Sequence, residues 1–149
     1  MSYRILIVDD DSQNIDSTKM LLESKGYDVD SCGSGTDAVR LLKNGDHEYA
    51  VILLDYHMPG LTGPETANAI LATKPKQLIA MYSVELSVKT LKNSWRSGAV
   101  DFIEKSASPD AVLDRIGDLC RKYDETARTI IEREVAGERE ALIRSVGMV

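Results

Sequence analysis

The chain has 149 residues, with 18 Lys and Arg against 24 Asp and Glu, and so a formal net charge of −6. That length suits one domain with some surplus, and a composition of 43% apolar and 28% charged residues is ordinary for a globular protein and argues against wholesale disorder. The acid excess argues against nonspecific contact with a nucleic-acid backbone, the two cysteines (Cys32 and Cys120) are too few and too far apart for a disulfide framework or zinc site, and no apolar run approaches a membrane span.

Taken in chain order, the first apolar run is Ile5-Leu6-Ile7-Val8, followed by Asp9, Asp10 and Asp11. A helical pattern then starts with Asp11 or Ser12 as its cap, turns Ile15, Leu21 and Leu22 inward and stops at Gly26. A weaker alternating stretch runs from Tyr27 to Cys32. It precedes a second helical pattern carrying Ala38, Val39, Leu41 and Leu42 that stops at Gly45. The apolar run Ala50 to Leu54 ends at Asp55, and a third helix starts with Pro64 after Gly63, carries Ala67, Ile70 and Leu71, and ends before Pro75. Leu78 to Met81 is the next strand, with Ser83 just past it. Val88, Leu91 and Trp95 at i, i+3, i+7 are expected to form the packing face of a fourth helix that stops at Gly98. Ala99-Val100 and Phe102-Ile103 form the last apolar run, with Lys105 just past it. Ser108-Pro109-Asp110 then opens a fifth helix whose apolar face is Val112, Leu113, Ile116, Leu119, Cys120 and Tyr123.

Short β-branched runs without clean alternation read as strands buried on both faces. Five such strands alternating with helices predict a doubly wound parallel α/β sheet with right-handed crossovers. The tail, residues 124–149, differs: six acids against four arginines leave it at −2, with no lysine, aromatic or proline. Ile130, Ile131, Val135, Leu142, Ile143 and Val146 give it a partial helical stripe. A heptad register through Ile116, Leu119, Tyr123 and Ile130 meets Arg133, Gly137 and Glu140, which does not support a long coiled coil. The expectation is one domain over residues 1–123 and a charged helical extension or linker over 124–149, leading to an output domain beyond this chain.

Asp9, Asp10, Asp55, Ser83 and Lys105 all fall where apolar runs end. In a parallel sheet the carboxyl ends of the strands share one edge, where ligands bind, so these residues are expected to converge. Clustered carboxylates repel one another unless a hard dication relieves them, and oxygen ligands at an open site favour Mg²⁺. A metal, a lysine ammonium and a hydroxyl together match the three equatorial oxygens of a phosphoryl group in transfer, and a carboxylate can be the attacking nucleophile.

Three segments, Ile5-Leu-Ile-Val-Asp-Asp-Asp, Leu53-Leu-Asp-Tyr-His-Met-Pro-Gly-Leu-Thr-Gly63 and Gly98-Ala-Val-Asp-Phe-Ile-Glu-Lys105, resemble the signatures of the response regulator receiver domain of two-component signalling. The resemblance spans residues 4 to about 123, and it implies a flavodoxin-like (βα)5 fold with strand order 2-1-3-4-5. It further implies that Asp55 accepts a phosphoryl group from a histidine kinase or phosphotransfer protein. Asp10 would ligate Mg²⁺ directly and Asp9 mainly through water, with Asp55 and the backbone carbonyl of His57 completing the protein ligands. Lys105 would pair with the phosphoryl group, Ser83 would hydrogen-bond it, and Phe102 would be the switch aromatic. The face formed by the fourth helix, fifth strand and fifth helix would engage an output domain, a partner or a second copy of the chain.

The chain departs from the family pattern in three places. Ser106 stands where proline usually follows the lysine, often after a cis peptide. Val84 stands where a small residue usually follows the hydroxyl and could narrow access to the site. His57 and Glu85 flank the path of attacking water. Asp11 is left as a helix cap, His47 as a loop residue, and Trp95 and the methionines as packing. Two other readings are weighed against this one. Asp9-Asp10-Asp11-Ser12 also resembles the first motif of haloacid-dehalogenase-like phosphatases, though Asp110, Asp114 and Asp118 then fall along a helix instead of at a strand end. Val84 and Ser106 would suit an interaction module that takes no phosphate. The expected location is the cytoplasm, and a charged helix of this kind loosely resembles the linker before a transcription-activating ATPase.

Overall fold

The computed structural model describes residues 2–45 and 48–147, so His47 and the last two residues lie outside the described residues. Five strands and five helices alternate: β1 (Arg4–Val8), α1 (Ser12–Glu23), β2 (Asp28–Cys32), α2 (Gly35–Asn44), β3 (Val51–Asp55), α3 (Gly63–Thr73), β4 (Ile79–Ser83), α4 (Val88–Arg96), β5 (Asp101–Glu104) and α5 (Pro109–Ser145). All four strand pairings are parallel, in the order β2-β1-β3-β4-β5. The fifth strand begins at Asp101, two residues later than its apolar run suggests, and Ala99 packs into the core ahead of it.

The central strands carry the core. Ile5 through Val8 and Val51 through Leu54 are all buried, as expected of strands covered on both faces. Side chains alternate between the two faces. Leu6, Val8, Ile52, Leu54 and Met81 pack toward α2 and α3, whereas Ile5, Ile7, Val51, Leu53 and Ala80 pack toward Leu22 of α1 and toward Val112, Ile116 and Leu119 of α5. Each such Leu or Ile contributes about 1.5–3 kcal/mol on leaving water. Both cysteines are free thiols, and burial pushes each up to about 11, so they behave as small apolar side chains.

Side-chain caps fix where the helices begin. Asp11 accepts from the Gln13 N–H at 2.9 Å, so it is the cap of α1. Ser34, Ser87 and Ser108 cap α2, α4 and α5 in the same way. Thr62 and Glu65 form a reciprocal capping box at the start of α3. Each cap is worth about 1 kcal/mol.

The expectation for α4 holds for Leu91, which packs against the core, and is overturned for Val88 and Trp95. Val88 is 70% and Trp95 54% exposed, while the residues turned inward are Thr90 and Ser94. Their hydroxyls are satisfied locally: Ser94 Oγ donates to the Thr90 carbonyl at 2.7 Å, and Thr90 Oγ1 accepts from the Ser87 N–H at 2.9 Å. With small polar side chains against the body, the stripe of Val88 and Trp95 is left in water. Among the methionines, Met58 and Met81 are core residues, but Met20 lies on the outer surface of α1, a second departure from the packing expectation.

The tail continues α5 without interruption. Contacts with the body reach Tyr123, which donates to Glu48 at 3.2 Å, and Asp124, which accepts from the Tyr3 hydroxyl. Residues 131–142 are exposed throughout. No helix among the described residues is long and apolar enough to cross a membrane.

Candidate phosphoacceptor site

The register of the sheet brings the polar strand ends together. Asp9 follows β1, Asp55 ends β3, Ser83 ends β4, and Lys105 follows β5. Carboxylate oxygens of Asp9, Asp10 and Asp55 lie within 4.8 Å of one another. Lys105 Nζ donates to Asp9 Oδ2 at 2.9 Å and stands 3.5 Å from Asp55 Oδ2.

The two aspartates after β1 differ in what remains free. Asp9 is buried and committed: Oδ1 accepts the Asp11 N–H at 2.9 Å, and Oδ2 takes the lysine. Asp10 is exposed at the mouth of the cluster. The donor set is three carboxylates in an open pocket, which fits a hard divalent cation that keeps part of its water. Asp10 is the carboxylate open to direct ligation, whereas Asp9 is held back by its two hydrogen bonds.

Burial is the main influence on the Asp55 carboxyl and pushes it up to about 6, with Lys105 opposing and Asp9 adding to the rise. Burial also presses on Lys105, but the Asp9 hydrogen bond and the charges of Asp55 and Asp9 outweigh it and hold the ammonium above its ordinary value. Lys105 is therefore a fixed positive charge. The Lys105–Ser106 bond is trans, as are all peptide bonds among the described residues. The lysine reaches both aspartates without proline at position 106.

The loop after β3 is shaped around Asp55. Asp55 Oδ1 accepts the His57 N–H at 3.3 Å, and the Gly63 N–H donates to the Tyr56 carbonyl at 2.9 Å. A Cβ at Gly63 would lie 2.5 Å from the Asp55 carbonyl oxygen and 2.8 Å from Tyr56 Cα, so only glycine allows α3 to start so close to the strand. Gly60 holds φ at +75°, a left-handed conformation that glycine adopts without penalty. These two positions account for both glycines of the Met58-Pro59-Gly60 to Gly63 segment.

Ser83 is fully buried, with its Oγ accepting from the Glu85 N–H at 3.3 Å, and its carbonyl accepts from the Lys105 N–H at 2.7 Å. Phe102 is buried and, with Leu86 and Leu91, lines a cavity of about 400 Å³ between α4 and β5. His57 Nε2 and Glu85 Oε2 stand 3.4 Å apart, joining the β3 and β4 loops. Val84 is 76% exposed, its side chain standing in solvent. Sequence reasoning missed Tyr56: its hydroxyl accepts from Asn93 Nδ2 at 2.9 Å, tying the residue after Asp55 to α4. No local signal marks that pair. Asp110, Asp114 and Asp118 lie along α5, so the strand-end acidic pair that a haloacid-dehalogenase-like site needs is not where that reading requires it.

The fold and the pocket together define a parallel α/β domain with acids, hydroxyl and lysine at the carboxyl edge of its sheet. The model of the response regulator receiver domain matches residues 5–117, and the chain belongs to that family. It is 30% identical over 142 residues to the transcriptional regulatory protein SrrA of Staphylococcus aureus, covering 95% of this chain and 56% of that protein. It is 26% identical over 129 residues to the cell cycle transcriptional regulator CtrA of Caulobacter vibrioides, covering 87% and 55%. The chain thus spans about half the length of these curated relatives. Among solved structures, a CheY-like response regulator receiver domain protein from Methanospirillum hungatei superposes with a TM-score of 0.78 at 27% identity, covering 85% of this chain and 99% of that one.

Proposed function

We propose that the chain is a phosphorylation-controlled switch in which Asp55 receives a phosphoryl group from the phosphohistidine of a kinase or phosphotransfer protein. The carrying observation is the cluster of Asp9, Asp10 and Asp55 within 4.8 Å, with the Lys105 ammonium against two of the three. An Asp55 carboxylate oxygen forms the new bond to phosphorus as the phosphorus–nitrogen bond of the donor breaks and its imidazole departs. No general base is needed, because the ionised carboxylate attacks as it stands. Asp9, Asp10, Asp55 and the His57 carbonyl would hold Mg²⁺, which when bound supplies positive charge to the transferring oxygens. Lys105 is already in place to pair with one of those oxygens, and Ser83 Oγ can donate to another once it turns toward Asp55.

The chain is a phosphoacceptor, not an enzyme acting on a separate pool of substrate. His57 and Glu85 span the approach to Asp55, and Val84 stands beside them, so these three set the rate at which donor and water reach it. The face of α4, β5 and α5 carries the output. Phe102 and its cavity lie beneath that face, and the Tyr56–Asn93 hydrogen bond links it to the acceptor loop. The names of the relatives point to transcriptional control as the output, through a domain beyond this chain.

Incubation with acetyl phosphate or phosphoramidate and Mg²⁺ should add one phosphate by intact-mass measurement. Asp55→Asn should abolish the addition, and chelation should suppress it. A wild-type chain that binds Mg²⁺ yet gains no phosphate would overturn this reading in favour of an interaction module.

A further inference from the structure

The strand β5 is the outer strand of the sheet, paired only with β4, and a side chain of α5 holds its other side. Arg115 Nε donates to Asp101 Oδ2 at 2.8 Å. A second guanidinium nitrogen donates both to Asp101 Oδ1 and to the Phe102 carbonyl, the latter at 3.1 Å. Asp101 Oδ1 in turn accepts the Phe102 N–H at 2.8 Å. Both polar groups of the Phe102 backbone are thus held by the Asp101–Arg115 pair, which closes the edge of the sheet at that residue.

This pair differs from the Arg121–Asp118 pair of the same helix, whose partners are exposed, three residues apart and joined to no second element. The Asp101 side chain is only 17% exposed, and Arg115 reaches it across a separation of 14 residues. Apolar packing also joins strand and helix, through Ile103, Val112 and Ile116. Such contact has no preferred direction, so a strand can slide on a helix without losing it. A planar fork fixed on a carboxylate and a carbonyl is directional, and it moves with the strand.

The strand is tied to the pocket at its far end. Lys105 follows it directly, with Nζ against Asp9 and Asp55, and the Lys105 N–H donates to the Ser83 carbonyl at 2.7 Å. New charge on Asp55 pulls on Lys105 and so on β5, and the cavity beside Phe102 leaves the strand room to respond.

We infer that Arg115 is a positioning residue through which a displacement of β5 is passed to α5, and so to the extension that α5 carries. The inference rests on the phosphorylation reading of Asp55, which supplies the displacement, and adds the residue that carries it from strand to helix.

The chain has one phenylalanine, so para-fluorophenylalanine places a single fluorine reporter at position 102. The probe is beryllium trifluoride with Mg²⁺, which stands in for a phosphoryl group on Asp55, added to the full chain. The fluorine resonance then reports β5, and the backbone amide shifts of residues 112–119 report α5. In the wild type both should move. In Arg115→Met, which keeps the apolar stem, the fluorine resonance should still move while the α5 shifts shrink on the order of threefold. Asp101→Asn breaks the same pair from the strand side and should give the same loss, whereas Arg121→Met should behave as the wild type. An α5 response of wild-type size in both Arg115→Met and Asp101→Asn would overturn the inference and leave the phosphorylation reading intact. So would wild-type α5 shifts that stay in place while the fluorine resonance moves. A wild-type Phe102 resonance that does not move, with bound fluoride visible in the same spectrum, would instead count against the phosphorylation reading and take this inference with it.

Discussion

At the scale of single residues, the pocket sets an ionisable carboxyl against its own burial. Asp55 is held at about 6, above its ordinary value of 3.8, chiefly because it is buried. A raised carboxyl favours folding when protonated. Its contribution is therefore fully present below about pH 4 and is lost as the pH rises through 6. Above that range the ionised form costs the fold about 3 kcal/mol. In metal-free protein at pH 8, Asp55→Asn should therefore melt several degrees above the wild type, and the gain should shrink toward nothing at pH 4. Equal shifts at both pH values would show that burial of the charge is not the cause. Asp9, Asp55, Ser83 and Lys105 were legible in the sequence because each ends or follows a run of buried apolar residues, and a parallel sheet gathers such ends at one edge. The different duties of Asp9 and Asp10 were not legible from neighbouring positions alone. They depend on which carboxylate Lys105 reaches, across a separation of 96 residues.

At the scale of elements, α4 shows why spacing alone misleads. Val88, Leu91 and Trp95 do share a side of the helix, but periodicity says only that they lie together, not which way the side faces, and only Leu91, at its margin, packs against the body. Thr90 and Ser94 take the inward positions because their hydroxyls are satisfied within the helix itself, so burying them leaves no polar atom without a partner. Pro64 marked the start of α3 in the sequence, the structure adds the capping box of Thr62 and Glu65, and Gly63 is explained by its approach to Asp55. The Tyr56–Asn93 bond joins elements 37 residues apart and had no such pattern. Tyr56→Phe removes it and should cost about 1 kcal/mol, felt mostly as faster local opening of α4. Hydrogen exchange should quicken roughly fivefold across residues 88–96 while the β1 and β3 amides stay protected. Uniform acceleration would place the bond's contribution in the global fold instead.

For the whole molecule, body and extension can be separated at the point where contacts cease. Tyr123 and Asp124 still bond to Glu48 and Tyr3, and Ile130 still lines the groove, whereas Glu132 to Ala141 are bare. A chain ending after Arg133 should keep its phosphate uptake. One ending after Lys122 should melt lower, by several degrees, since it loses those contacts as well. Calorimetry distinguishes them, and equal melting of the two would show that the Tyr123 and Asp124 contacts add nothing to the stability of the body.

The inward hydroxyls of α4 carry one more consequence, for temperature. A helix that covers the body with Thr90 and Ser94, and already leaves Val88 and Trp95 in water, has Leu91 as the main hydrocarbon it would newly expose on shifting or lifting. The heat-capacity change of that motion is then small, since apolar hydration is its main source. If the proposed switch moves α4 between two positions, their balance should follow a nearly straight van't Hoff line even where the stability of the domain as a whole curves.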